Sequence, residues 1–182
     1  LGRNAGAPRY AQVARKCRLP DASASGACRV VGSCQCVAGG EPARLEEGIT
    51  TPTYVYSDVH GHRATLERTL ERVSPSEQDR FFCLGDMIAR GPDPLGVIAI
   101  TRALPNVCVL KGNHEDLMLR ALRGADQVEM SMCAMDWAMN GGSTTSDALE
   151  ALDDEDASMV VDWVERLPCW AQVRVGERDY IL

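Results

Sequence analysis

Three short stretches hold residue types suited to binding divalent cations and phosphate. They are Ser57-Asp58-Val59-His60-Gly61-His62, Gly85-Asp86-Met87-Ile88-Ala89-Arg90-Gly91 and Gly112-Asn113-His114-Glu115. Asp58, His60, Asp86 and Asn113 offer hard oxygens and one borderline nitrogen, a donor set for manganese, iron or zinc and not for a thiolate-seeking metal. Two cations about 3.5–4 Å apart can share one bridging carboxylate and activate one water between them. Asp86 is the candidate bridge. His114, beside the candidate ligand Asn113, is a candidate general acid toward a leaving oxygen. Arg90, four residues past Asp86, is a planar fork donor matched to phosphate oxygens.

Those residues need a scaffold that makes them converge. Each stretch follows a short apolar run rich in β-branched and aromatic residues: Tyr54-Val55-Tyr56, Phe81-Phe82-Cys83-Leu84 and Val107-Cys108-Val109-Leu110. Bounded by glycine and polar residues, such runs predict buried strands. Between them, Leu66, Leu70 and Val73 recur at i, i+4, i+7 and predict a helix from His62 to Val73, with Arg63, Arg68 and Arg72 on its solvated face. His62 reads as a helix-start residue. Asp93 reads as the N-terminal cap of a second helix through Leu95, Ile98 and Leu104, and Leu117, Leu119 and Leu122 predict a third that ends near Gly124. Alternating strands and helices predict an α/β fold with parallel pairing. In such a sheet the loops at the carboxyl ends of the strands are where sites form.

Asp-x-His-Gly, Gly-Asp-x-x-x-Arg-Gly and Gly-Asn-His-Glu in this order resemble the signature of the metallophosphoesterases. More narrowly they resemble the phosphoprotein phosphatase branch in its bacterial serine/threonine form, with the symmetrical diadenosine tetraphosphate (Ap4A) hydrolases as a sister group. The resemblance covers residues 51–182 and implies an α/β/β/α sandwich, of which this chain would be the N-terminal half with a helical insertion. It implies two divalent metal ions, manganese first and iron or zinc as alternatives. Asp58, His60 and Asp86 would hold one ion, and Asp86 and Asn113 would begin the second site. His114 would be the acid, and Arg90 with Asn113 would bind the substrate phosphate. The implied reaction is phosphoester hydrolysis through a hydroxide bridging the metals. Its substrate would be a phosphorylated protein or a small phosphoester, with a dinucleoside polyphosphate as the alternative. Two departures stand out. Where the protein-phosphatase type carries an aspartate that orients the acid histidine, this chain has Ala89, as in the Ap4A hydrolases. The strand at Tyr180-Ile181-Leu182 would continue in the family into Val-His-Ala-Gly, yet the chain's three histidines are His60, His62 and His114. The domain is therefore expected to be incomplete at its C-terminus, which leaves a third reading, an inactive fragment or a metal- and phosphate-binding module.

Length and composition agree with one globular domain: 182 residues, 45% hydrophobic and 25% charged,. Residues 1–50 carry seven Lys/Arg against four Asp/Glu, and the remainder twelve against twenty-two. An acidic body argues against nucleic acid as a partner but not against phosphate, because a bound cation inverts the local field. No apolar run approaches a membrane span and no secretory leader is evident, so a cytoplasmic protein without a membrane partner is expected. Residues 1–50 show no sustained apolar period and are expected to be of low order. Cys17, Cys28, Cys34 and Cys36 fit no compact zinc pattern, and Cys83, Cys108, Cys133 and Cys169 read as buried thiols.

The rest of the chain adds shape. Gln127 to Asn140 predicts a helix with a methionine stripe (Met130, Met132, Met135, Met139), read as core or lid packing. Asn140-Gly141-Gly142 breaks it. Asp153-Asp154-Glu155-Asp156 lacks the alternation of a calcium loop and reads as an acidic helix N-terminus. Trp170 to Val175 and Tyr180 to Leu182 predict two strands joined by a turn at Gly176-Glu177-Arg178-Asp179.

Overall fold

The structure, a computed structural model, describes residues 52–175 and 178–182. The expectation of low order for residues 1–50, and the four cysteines there, lie outside the described residues. The described chain opens with three strands and three helices in alternation: β1 (Thr53–Tyr56), α1 (Arg63–Val73), β2 (Arg80–Cys83), α2 (Pro94–Ala103), β3 (Val107–Val109) and α3 (Asn113–Arg123). Then come α4 (Gln127–Met139), α5 (Ser143–Glu150), α6 (Asp154–Glu165), β4 (Gln172–Val175) and β5 (Arg178–Ile181); Arg178 and Asp179, expected in a turn, belong to the strand because they pair with Val175 and Arg174. The first three strands form one parallel sheet in the order β1-β2-β3, and β4 and β5 form an antiparallel pair. No helix among the described residues is long and apolar enough to cross a membrane.

The period of two in β2 and β3 divides the interior. Phe81, Cys83 and Val109 face a core built with Leu66, Leu70, Val97, Ile98, Met118 and Val164, so the helices gather on one side of the sheet,. Phe82, Cys108 and Leu110 point the other way and meet Val173 of β4. Each fully buried aliphatic or aromatic side chain contributes about 1.5–3 kcal/mol, and β2 and β3 are buried on both faces because each meets a layer on either side. β1 is different from expectation. Among the described residues it pairs on one side only, and Val55 is 53% exposed, because only Tyr54 and Tyr56 turn toward the helical core.

Caps explain the helix starts. The Asp93 carboxylate accepts from Gly96 N at 2.8 Å and Asp153 accepts from Asp156 N at 2.8 Å, each satisfying an orphan donor of the first turn. The Asp93 carboxylate also takes Arg63 Nη1 at 3.1 Å, while Arg63 Nε bonds Glu67. Arg63 is thus a paired strut between α1 and the start of α2, not a member of a solvated face. Arg123 joins α3 to α6 through Asp162 and Glu165.

The methionine stripe is not core. Val128, Met132, Met135 and Met139 are 69–78% exposed, and α4 seats itself on the interior through Cys133 and Trp137. Cys169 also departs from expectation: it is exposed, while Cys83, Cys108 and Cys133 are buried. Burial, the largest cause, pushes the Cys83 thiol up to about 12, so its nucleophilic thiolate is scarce at neutral pH. N-ethylmaleimide at pH 7.5 is expected to label Cys169 and to spare Cys83 until denaturant is added. Peptide mass spectrometry checks this, and equal labelling of both in the folded chain would contradict the buried placement of Cys83.

Candidate active site

The carboxyl ends of β1, β2 and β3 lie side by side, and the loops that leave them continue the ladder past the strands. Asp58 N donates to Gly85 O at 3.3 Å, His60 N to Asp86 O at 2.9 Å and Gly61 N to Met87 O at 2.8 Å. The path demands uncommon backbone. Asp58, His60, Asp86, Ala89 and Arg90 all have positive φ, between 46° and 68°. Each such residue costs on the order of 1–3 kcal/mol outside glycine, less for aspartate, and strain of this kind collects at functional sites. Gly85 is required twice over, by its φ of 97° and because a Cβ there would collide with the Gly112 backbone of the third loop,.

The side chains meet in a compact group. Ligand atoms of His60, Asp86 and His114 lie within 4.8 Å of one another, and the two imidazoles pack edge to face with centroids 4.7 Å apart. His60 Nδ1 lies 3.1 Å from Ile88 O. A proton there, donated to the carbonyl, leaves Nε2 as the lone-pair nitrogen. Asp58 Oδ1 lies 3.7 Å from that Nε2, and its side chain is exposed. Asp86 Oδ1 accepts from His114 N at 3.0 Å. Asn113 is exposed, one residue before His114 in the first turn of α3. His62 stands at the N-cap position of α1, outside the His60, Asp86 and His114 group.

Arg90 Nη2 lies 3.1 Å from His114 Nε2. A guanidinium is only a donor, so Nε2 accepts and the ring proton rests on Nδ1, which is buried without a hydrogen-bond partner among the described residues. Burial, then the neighbouring His60 and Arg90, hold the imidazole below the usual histidine range against the pull of Asp86,. At the position where the protein-phosphatase resemblance implies an orienting aspartate, this chain has Ala89.

Sequence reasoning gave Glu115 no role. Its carboxylate is fully buried and accepts the N–H groups of Asp86 (2.8 Å), Met87 (2.8 Å), Ile88 (3.3 Å) and Gly112 (3.0 Å). It staples the second loop to the third. Burial pushes this carboxyl up, and the N–H groups of Asp86, Met87 and Gly112 work against that. The signal was present: a glutamate three residues after a helix N-cap reaches back to the N-cap N–H. Gly112 has no side chain to complete the reciprocal half.

The donor chemistry fits a divalent cation: one oriented imidazole nitrogen and a carboxylate within reach, with Asp58 adjacent. The sequence model of the calcineurin-like phosphoesterases matches residues 51–178. The chain is 34% identical over 119 residues to the symmetrical bis(5'-nucleosyl)-tetraphosphatase of Erwinia tasmaniensis, covering 64% of this chain and 38% of that protein. It is 32% identical over 141 residues to serine/threonine-protein phosphatase 1 of Salmonella typhimurium, covering 76% of this chain and 61% of that one. A crystal structure described as a putative diadenosine tetraphosphatase aligns with a TM-score of 0.46 at 21% identity, over 75% of this chain and 58% of that one. The chain spans less than two thirds of the length of each of these. It belongs to the calcineurin-like phosphoesterase family.

Proposed function

We propose that the chain carries the phosphate-cleaving centre of a metal-dependent phosphoester hydrolase of the serine/threonine protein phosphatase type. The convergence of His60, Asp86 and His114 within 4.8 Å, with Arg90 on His114, is the observation that carries this reading. Asp58, His60, Asp86 and Asn113 would hold two divalent cations, manganese first. Bound there, the cations supply Lewis acidity and charge neutralisation at the phosphoryl oxygens. The chain's own residues do the rest. The Ile88 carbonyl fixes the His60 ring, and Glu115 fixes the Asp86 backbone. Arg90 clamps the substrate phosphate with its forked donors. A phosphate that draws the guanidinium away from His114 Nε2 frees that nitrogen to carry a proton and hand it to the leaving oxygen.

A second reading, hydrolysis of a symmetrical dinucleoside polyphosphate, is supported by Ala89 and the unpartnered His114 Nδ1. It is supported also by the name of the Erwinia relative. A phosphoserine peptide, p-nitrophenyl phosphate and diadenosine tetraphosphate assayed side by side with manganese test both. The expected result is metal-dependent release of phosphate with the peptide preferred. A preference of about tenfold or more for the dinucleotide, near 1.4 kcal/mol in transition-state binding, would move the assignment to the second reading. Metal binding without turnover of any of the three would reduce the chain by itself to a binding module.

A further inference from the structure

The turn between α4 and α5 does something that neither the metal ligands nor the phosphate clamp explains. Ala89 and Arg90 are consecutive left-handed residues, with φ of 68° and 63°, and two such residues in a row do not persist unless their surroundings hold them. Both backbone N–H groups are held from here, one by the first turn of α5 and one by the turn before it. Ala89 N donates to Thr145 Oγ1 at 2.9 Å, and Arg90 N donates to Gly141 O at 2.8 Å. Ala89 is fully buried and Thr145 is 1% exposed, so no water substitutes for the hydroxyl. Gly141 itself has φ of 85°, and a Cβ on it would come within 2.9 Å of Arg90 Cγ. Behind it, Gly142 lies against the indole of the buried Trp137. The turn is thereby pinned to the core on one side and to Arg90 on the other.

We infer that Thr145 is a positioning residue for substrate phosphate: by holding the Ala89 N–H it fixes the left-handed turn that aims the Arg90 guanidinium toward His114. The hydroxyl touches no reacting atom; it acts through the Ala89–Arg90 backbone. A buried N–H left without an acceptor has other conformations to choose from, and those carry Arg90 away from the site. The motif Asn140-Gly141-Gly142 gains a purpose by the same geometry. Asn140 is only a return bond, its side-chain nitrogen donating to Asp136, whereas Gly141 is the part that meets the site.

The decisive comparison is Thr145→Val, which keeps the shape and removes the acceptor, against Thr145→Ser, which keeps the acceptor and removes a methyl. The full 182-residue chain is used with manganese and p-nitrophenyl phosphate. For Thr145→Val we expect kcat/KM to fall tenfold or more, chiefly through KM, with manganese affinity unchanged and Ala89 amide hydrogen exchange at least tenfold faster. For Thr145→Ser we expect kcat/KM within about threefold of the parent and exchange still slow. An unchanged KM and unchanged Ala89 exchange in Thr145→Val would overturn the inference. So would a serine variant that loses as much as the valine one. If the valine chain does not fold, the serine variant decides alone, a loss beyond tenfold counting against the hydroxyl. The activity arm rests on the hydrolase reading, but the exchange arm does not. A parent chain without turnover removes that reading while the exchange rates still decide this one.

Discussion

Asp86→Asn is expected to abolish metal-dependent phosphoester hydrolysis, with a loss on the order of a thousandfold or more, since several kcal/mol of charge stabilisation depend on the site. Charge and shape separate at this position. Asp86 sits at φ 54°, and asparagine tolerates that backbone about as well as aspartate does. The retained oxygen can still accept the His114 N–H that Asp86 Oδ1 takes at 3.0 Å. The backbone N–H remains on Glu115. What disappears is the negative charge next to His60 and His114, in the position proposed to bridge two cations. Folding should therefore be nearly unchanged while manganese affinity collapses. Isothermal titration with manganese, a thermal melt and p-nitrophenyl phosphate turnover measure the three quantities on one preparation. Turnover within about tenfold of the parent, a loss under 1.4 kcal/mol, would show that Asp86 does not bridge the metals. A collapsed melt would instead show that the carboxylate is structural.

Much of this arrangement is legible in the chain because local physics and the site point the same way. A β-branched run followed by glycine and an acid is a strand running into a loop whether or not a metal is involved. Three such units joined by helices can only stack their loops on one edge of a parallel sheet. Asp93 and Asp153 announced their helices because a short acceptor ahead of an apolar period satisfies donors nothing else can reach. The rest was hidden for equally physical reasons. Helix α5, Ser143-Thr144-Thr145-Ser146-Asp147-Ala148-Leu149-Glu150, opens with five residues of low helix propensity, and just two of its residues, Thr145 and Leu149, are buried,. Its role as a backstop for Ala89 depends on a contact between residues 56 positions apart, which no period reveals. Met132, Met135 and Met139 have the hydrophobicity of core residues, yet the face that packs is set by Cys133 and Trp137. Arg63 has the spacing of a solvated residue, and only the fold brings Asp93 to it. The contact of Arg90 with His114 lies deeper still, since it requires two consecutive left-handed residues that are not glycine.

Glu115→Gln tests whether the strain in the second loop is held by that one carboxylate. In the parent, one oxygen takes the N–H groups of Met87 and Ile88, and the other takes those of Asp86 and Gly112. An amide keeps the volume but turns one acceptor into a donor, so two buried N–H groups lose their partner. At about 1–3 kcal/mol for each orphaned donor, the loss falls near 2–6 kcal/mol. For a chain of this size that lowers Tm by about 4–24 °C, at roughly 2–4 °C per kcal/mol. The pH dependence has a sign of its own. Burial raises this carboxyl above its ordinary 4.5 in the fold, so the folded state binds the proton more tightly than the unfolded chain does. The parent's stability from this group is complete below 4.5 and declines as pH rises through the folded value,. The glutamine variant has no such slope. The gap between the two melts should accordingly narrow as pH is raised from acid toward neutral. Melts of both chains across that range check the claim, and a gap under about 2 °C at every pH, below 1 kcal/mol, would mean the loops hold their shape without Glu115. Manganese affinity should fall alongside stability, because Asp86 and the turn before Asn113 are the two segments the carboxylate ties together. A variant that melts early yet binds manganese as the parent does would place the staple's role in folding alone.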